Sequence, residues 1–426
     1  MNLSCGLREF PQEIFDLADT LEILDLSGNE LTSLPDDLPR LHKLRILFCS
    51  DNAFTRMPEI LGQCSQLSMV GFKANRICSV PAAALPRSLR WLILTGNQIE
   101  TLPPELGCCS QLQKLMLSGN RLQTLPEELA ACSQLELLRI AANRFTALPE
   151  WLFEMPRLAW LAYAGNPCST EIEAAALAQN PIASIAWDKL QIQHKLGEGA
   201  SGVIHQALWS EGAAEQVAVK LFKGALTSDG LPHSEMSSCI SAGAHPNLIA
   251  VHGKIHGHPE ETNGLVMSLI APDFTNLAGP PSLDSCTRDI YSADTRFTPA
   301  AIVRMALGIA SAAQHLHARG IMHGDLYAHN ILYCGAGDAL LGDFGAASFF
   351  ASRDGRRAQA LQRIEVRAFA CLLEEMLERC SLPDDSAADE WQTTRKALAE
   401  LQTRCAHSDT AARPLFAEIQ QSLQSL

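Results

Sequence analysis

Three glycines, Gly197, Gly199 and Gly202, stand in G-x-G-x-x-G spacing, followed by strand-forming runs at Val203–Trp209 and Gln216–Phe222. A dinucleotide site uses the same spacing but continues into a helix. Here a strand follows, so the loop suits a flap whose backbone closes over phosphate groups. Leu196, Glu198, Ala200, Ser201 and Val203 complete it as candidate nucleotide contacts. Further along come Lys220 in a strand-like run, Asp325 and Asn330 five residues apart, and Asp343 before Phe344 and Gly345. Singly these are ordinary: a solvated edge lysine, a turn former, a loop acid before glycine. Their order along one chain is less ordinary than any one of them.

The first half of the chain is a repeat. Asn29, Asn52, Asn75, Asn97, Asn120, Asn143 and Asn166 recur every 22 or 23 residues. A Leu-Pro-like pair follows six of them: Leu34-Pro35, Met57-Pro58, Val80-Pro81, Leu102-Pro103, Leu125-Pro126 and Leu148-Pro149. The pattern resembles the leucine-rich repeat. An atypical first unit, with Cys5 at the asparagine position, reads as a cap. Leu24, Leu26 and their equivalents should face inward from short strands, and the asparagines should satisfy backbone groups at the turns. Positions alternating with the leucines fall into two columns on the concave face. Phe48, Trp91, Ile93, Met116 and Trp160 form an apolar stripe there, expected to be exposed and to bind a protein partner; self-docking is the alternative.

Bulk properties narrow the classes. The chain has 426 residues, a net charge of −14, 47% hydrophobic and 19% charged residues, which is globular and too long for one core. The acidic balance argues against a general nucleic-acid binder. Fourteen cysteines are scattered, and Cys64, Cys109 and Cys132 recur in one phrase before Ser-Gln-Leu. That marks packing positions with reduced thiols, not a disulfide frame. The start lacks a secretory signal, and the most apolar stretch, Ala300–Leu316, is broken by Arg304, so no membrane span is expected.

From about residue 188 the ordered motifs resemble a protein kinase. Val217–Lys220 is similar to the strand whose lysine holds the α- and β-phosphates of ATP. Glu235, the one glutamate between Lys220 and His245, is the candidate partner of that lysine. His245–Leu248 resembles the turn before the next strand, and Leu265–Ile270 the hinge strand with Met267 as gatekeeper. His323–Asn330 resembles the catalytic loop. The resemblance implies Asp325 as the residue that takes or orients the acceptor hydroxyl's proton, and Asn330 and Asp343 as magnesium ligands. Glu365–Leu377 is similar to the central helix, and Asp409–Pro414 to the approach to the last helix.

Four departures stand out. Gly324 replaces the usual arginine before the catalytic aspartate, so switching by loop phosphorylation is not expected. Tyr327 replaces the usual lysine two places after it, and His329 stands where tyrosine kinases carry an arginine. Asp343 to Glu365 is short, lacks Ala-Pro-Glu, and has only Ser348 and Ser352 as hydroxyls, so Arg413 loses its usual partner. Between the central helix and Arg413 there is room for little more than one helix, around Asp389–Arg404. Residues 271–298 form a long Pro/Asp/Ser-rich connection to which the sequence assigns no function.

The expected architecture is an α/β leucine-rich-repeat solenoid with a parallel concave sheet, followed by an α+β bilobal kinase-like fold. Expected domains are 1–168 for the cap and about seven repeats, 169–187 for a linker helix capped by Ser169 or Thr170, and 188–426 for the kinase-like part. The implied function is an ATP- and Mg2+-dependent protein kinase of Ser/Thr type, recruited to a protein partner by its repeats. An ATP-binding pseudokinase scaffold is the alternative. With no membrane span between the parts, the chain resembles soluble bacterial repeat-kinases; a cytoplasmic location is expected, with delivery into another cell left open.

Overall fold

The computed structural model describes all residues except 211–213, 225, 353–354 and 382–387, and the side chains of 388–390. The chain divides into two compact units, Met1–Cys168 and Ser169–Leu426.

The first unit is a solenoid. Seven three-residue strands form one parallel sheet in sequence order: β1 (Ile23–Asp25), β2 (Ile46–Phe48), β3 (Met69–Gly71), β4 (Trp91–Ile93), β5 (Lys114–Met116), β6 (Leu137–Arg139) and β7 (Trp160–Ala162). Ile23 pairs with Ile46, Ile46 with Met69, and so on to Leu137 with Trp160, so equivalent repeat positions stack in register. Leu24, Leu47, Val70, Leu92, Leu115, Leu138 and Leu161 are fully buried. After each strand the chain turns at the repeat asparagine. Asn97 accepts the backbone N–H of Ile77 at 2.9 Å and donates to the carbonyls of Phe72 and Leu94 at 2.8 and 3.0 Å. Asn120 and Asn143 do the same one and two repeats on. The prolines of the Leu-Pro pairs then set extended backbone immediately before short 3-10 helices, such as Glu59–Gln63 and Glu127–Ala131.

The recurring cysteines pack as expected. Cys64, Cys109 and Cys132 are buried free thiols, and burial pushes Cys132 up to about 12, so it stays protonated against the carbonyls of Leu106 and Cys109.

The concave stripe differs from expectation. Phe48, Trp91 and Ile93 are half-buried, but Met116 is 7% exposed and Trp160 only 1%. Leu137, Arg139 and Ala162 beside them are buried too. Strand alternation sets the direction of a side chain, not its exposure. Phe48 and Ile93 lean toward each other across Gly71, where a Cβ would meet both rims, Phe48 at 2.6 Å and Ile93 at 3.6 Å.

The second unit opens with helix α1 (Pro167–Gln179), which runs over from the last repeat. It begins two residues before the expected Ser169, with Pro167 at the first position, where a missing N–H costs nothing. Then β8 (Ala183–Ala186), assigned to a linker from sequence, adds itself parallel to β12 (Val251–His256). The resulting six-stranded sheet has the order β8-β12-β13-β11-β10-β9, with β9 (Leu190–Glu198), β10 (Gly202–Trp209), β11 (Glu215–Phe222) and β13 (Gly264–Ser268). Ala207, Val217, Val219, Ile255 and Val266 form its buried face. Helix α2 (Pro232–Ala242) follows β11.

The remainder is mostly helical. Before it comes the short strand β14 (Thr275–Asn276). Helix α3 (Pro299–Ala318) starts at Thr298, whose hydroxyl accepts the Ala301 N–H. Strand β15 (Ile321–Met322) pairs with β18 (Ser348–Phe349), and β16 (Ile331–Tyr333) and β17 (Ala339–Leu341) make a hairpin joined by β14. Helices α4 (Gly355–Glu378), α5 (Ala388–Cys405) and α6 (Phe416–Gln424) complete the unit. The central helix therefore starts ten residues before the expected Glu365, because Ala358, Leu361 and Ile364 continue its buried stripe. Among the described residues, no helix is long and apolar enough to cross a membrane.

Candidate active site

The glycine loop is the tip of the β9–β10 hairpin, closed by the Gly199 N–H on the Gly202 carbonyl at 2.9 Å. A Cβ at Gly197 or Gly199 would meet nothing within 4 Å, whereas one at Gly202 would strike the Leu221 carbonyl oxygen at 2.4 Å. Gly202 is thus required by the neighbouring strand. The open space at Gly197 and Gly199 is a cradle into which phosphates can approach the backbone.

Under this loop lies a cleft of about 640 Å³. Leu196, Gly197, Glu198, Gly199, Ala200, Ser201, Gly202, Lys220, Met267, Asn330 and Asp343 all line it. Val203 does not; it is a β10 residue paired with Leu221 and Glu198. Glu235 borders a smaller space of about 130 Å³ behind, shared with Lys220, Met267 and Asp343.

Lys220 projects from β11 and forms an ion pair with Glu235 of α2, whose side chain is 1% exposed. Burial alone would depress the lysine's pKa, but the carboxylates of Glu235 and Asp343 more than offset it, holding Lys220 above its ordinary value and charged. The first turn of α2 is itself held from α1. Ser234 Oγ donates to the buried Glu173 Oε2 at 3.1 Å, and His233 Nδ1 lies 3.4 Å from Oε1.

The segment 323–330 is pinned at several points. His323 Nε2 bonds the Gly342 carbonyl at 2.8 Å, and the Asp325 N–H reaches His323 Nδ1 at 3.3 Å. The Gly324 N–H donates to Glu365 Oε1 at 2.7 Å, from a glycine at φ +74°. The second oxygen of Glu365 bonds His317 Nε2 at 2.6 Å. Asn330 Nδ2 donates to the Asp325 carbonyl at 2.9 Å and to its carboxylate at 2.8 Å. Asp343 adopts φ +51°, a left-handed conformation rare outside glycine, and its Oδ1 accepts the Gly345 N–H at 3.0 Å.

Three residues have placements that the sequence did not reveal. His329 lines the cleft, with its backbone N–H and Nδ1 on the two oxygens of Asp289 at 3.0 and 2.7 Å. Burial lowers its pKa, but the bond to Asp289 and the charges of Asp289, Asp325 and Asp343 prevail, and the net shift is upward. Tyr327, at the usual lysine position, is a buried packing residue with its ring 5.0 Å from that of His329. Arg413, deprived of the expected glutamate, donates instead to the carbonyls of His407 and Arg363 at 2.9 and 3.1 Å.

Among the described residues, no three metal-ligating His, Cys, Asp or Glu side chains cluster. Asn330 and Asp343 at one rim fit a magnesium ion that completes its shell with phosphate oxygens and water.

A two-lobed unit with a glycine flap, a buried Lys–Glu pair and a pinned Asp–Asn loop is the arrangement of a protein kinase domain. Sequence comparison agrees. Residues 190–392 match the protein tyrosine and serine/threonine kinase family, and residues 20–41 and 87–145 match leucine-rich repeats. A candidate serine/threonine-protein kinase of Acanthamoeba polyphaga mimivirus is 27% identical over 189 residues, covering 43% of this chain and 31% of the relative. Leucine-rich repeat and calponin homology domain-containing protein 1 of Mus musculus is 33% identical over 119 residues, 27% of this chain and 17% of the relative. Fibroblast growth factor receptor 2 of Dugesia japonica is 26% identical over 205 residues, 45% of this chain and 23% of the relative. The chain spans less than a third of the length of each. It is a leucine-rich-repeat protein whose C-terminal unit belongs to the protein kinase family.

Proposed function

We propose that the protein is an active Ser/Thr-type kinase that transfers the γ-phosphoryl group of ATP to a protein hydroxyl, with its repeats recruiting the partner. The observation that carries this is that Lys220, Asn330 and Asp343 line one cleft, with Glu235 paired to Lys220 and the Asp325 carboxylate bonded to Asn330. A chain released from catalysis has no need to keep three carboxylates and a buried ammonium together in that arrangement, which is costly to desolvate.

In this reading the backbone N–H groups of residues 197–202 and the Lys220 ammonium bind and orient the phosphates of ATP. Met267 and the hinge beyond it border the space for the base. Asn330 and Asp343 hold magnesium, which supplies neutralisation of phosphate charge when bound. Asp325 takes or orients the acceptor hydroxyl's proton, and its carboxylate is set for this by Asn330 Nδ2. The repeat unit contributes an apolar patch at Phe48, Trp91 and Ile93, a composition suited to a protein partner. We take residues 1–168 as the repeats, 188–426 as the kinase domain and 169–187 as the connection. The free cysteines suit a reducing cytoplasm.

Comparison of phosphopeptides from cells carrying wild type and Asp325→Asn tests this. Loss of phosphoserine or phosphothreonine sites in the variant is expected; loss confined to phosphotyrosine would overturn the Ser/Thr assignment, and no loss the kinase activity. The buried Tyr327 favours a second reading, an ATP-binding scaffold, which predicts stabilisation by Mg-ATP without turnover.

A further inference from the structure

The segment between β14 and α3, without a role in the sequence reading, reaches the centre of the site. We propose that Asp289 is a positioning residue for phosphoryl transfer, clamping the catalytic loop to α4 through the 279–297 segment. This rests on the kinase reading above.

The Asp289 side chain is fully buried, and both of its oxygens are used on His329. One accepts the backbone N–H and the other faces Nδ1. A carboxylate only accepts, so this also fixes the ring nitrogen that carries hydrogen. The residue held in this way immediately precedes Asn330, whose amide orients the Asp325 carboxylate. A shift at residue 329 is therefore passed to both residues in the next bond of the chain.

Asp289 is in turn held from α4. Arg288 Nε donates to Glu375 Oε1 at 2.8 Å, and its Nη2 to Glu374 Oε2 at 2.9 Å and to the Cys371 carbonyl at 3.3 Å. Tyr291 Oη donates to Glu375 Oε2 at 3.1 Å. Gly279 and Ile290 exchange both backbone hydrogen bonds, closing the base of the loop. The same helix also holds the other end of the catalytic loop, where Glu365 accepts the Gly324 N–H. Glu365 and Glu375 are ten residues apart, roughly 15 Å along the helix. One rigid element thus grips the loop at Gly324 directly and at His329 through Arg288 and Asp289.

A fully buried carboxylate is costly to desolvate unless hydrogen bonds satisfy it, and those of Asp289 go to His329. It stands in a chain where the segment after Asp343 enters α4 at Gly355, leaving few residues to brace the loop from the other side. Such bracing matters because misplacing reacting groups by about 1 Å costs on the order of 100-fold in rate.

The test uses the full-length chain with Asp289→Ala and Asp289→Asn, read by steady-state transfer from Mg-ATP and by amide hydrogen exchange across residues 323–330. For Asp289→Ala the expected result is exchange at the His329 amide faster by about 10-fold or more, from loss of one charged acceptor. A kcat lower by roughly 10- to 100-fold, with KM for ATP changed less than about 3-fold, should accompany it. Asp289→Asn, which keeps an acceptor for the N–H, should recover part of kcat and most of the protection, and it carries the test alone if the alanine variant does not fold. Unchanged kcat in the folded variants, or unchanged exchange, overturns the clamp while leaving the kinase reading intact. A wild type that transfers no more than Asp325→Asn overturns both.

Discussion

The amide of Asn330 donates to the carboxylate of Asp325 at 2.8 Å and to its carbonyl at 2.9 Å, so the two residues move as one body. A residue fit to hold a metal thereby also aims the residue fit to receive a proton. In the proposed reading, metal occupancy and acceptor orientation would be linked through this hydrogen bond.

Lys220→Met removes the cation from a pair in which Glu235 is almost wholly buried. The carboxylate left behind should cost about 3 kcal/mol of kinase-unit stability, as for other broken buried pairs. Thermal scans with and without Mg-ATP check this: a lower melting temperature and a lost nucleotide-induced shift are expected, since the ammonium would bind the phosphates.

The glycines of the loop should separate folding from binding. Gly199→Ala meets no atom within 4 Å, so stability should change by no more than about 0.5 kcal/mol. Gly202→Ala would place its Cβ 2.4 Å from the Leu221 carbonyl oxygen and should cost about 2 kcal/mol. Calorimetric titration with Mg-ATP should show weaker binding for Gly199→Ala in a protein whose melting temperature is preserved.

Asn97→Ala opens the solenoid's ladder. The buried Ile77 N–H loses its acceptor, while the Phe72 and Leu94 carbonyls each lose one bond and keep another, from Asn75 and Asn120. Urea titration should show a loss of about 2 kcal/mol, the cost expected when one buried donor is left unpaired.

Glu365 gives an acid limit. Burial pushes its pKa up, but the bonds from His317 and the Gly324 N–H more than offset this, and the folded value lies below the usual 4.5. A lowered folded pKa means that its stabilisation is complete above the unfolded value and fades as pH falls through the folded one. The difference in melting temperature between wild type and Glu365→Gln should therefore be constant down to about pH 5 and shrink below it. A difference that grew on acidification would refute the assignment.

Much of this was legible from local pattern. The repeat asparagines meet the same backbone turn each time, so their spacing announced both the ladder and the strand register. Gly197 to Gly202, Lys220, Asp325, Asn330 and Asp343 lie in short phrases whose order carries the fold. The rest depends on contacts between distant segments. Asp289 sits 40 residues from His329 in a polar connection with no phrase of its own. Met116 and Trp160 are buried although they alternate with the inward leucines, because periodicity gives a side chain's direction and not its exposure. The early start of α4 was readable in Ala358, Leu361 and Ile364, but the boundary was set by analogy with the central helix.

The central claim is that Asp325, Lys220 and Asp343 act together on Mg-ATP. The most direct measurement incubates the purified chain with γ-labelled Mg-ATP and basic and acidic protein acceptors, comparing wild type with Asp325→Asn. Loss of a general base costs about 100-fold or more, so label transfer by the wild type should exceed that of the variant by at least that factor. Equal transfer by the two proteins would contradict the account.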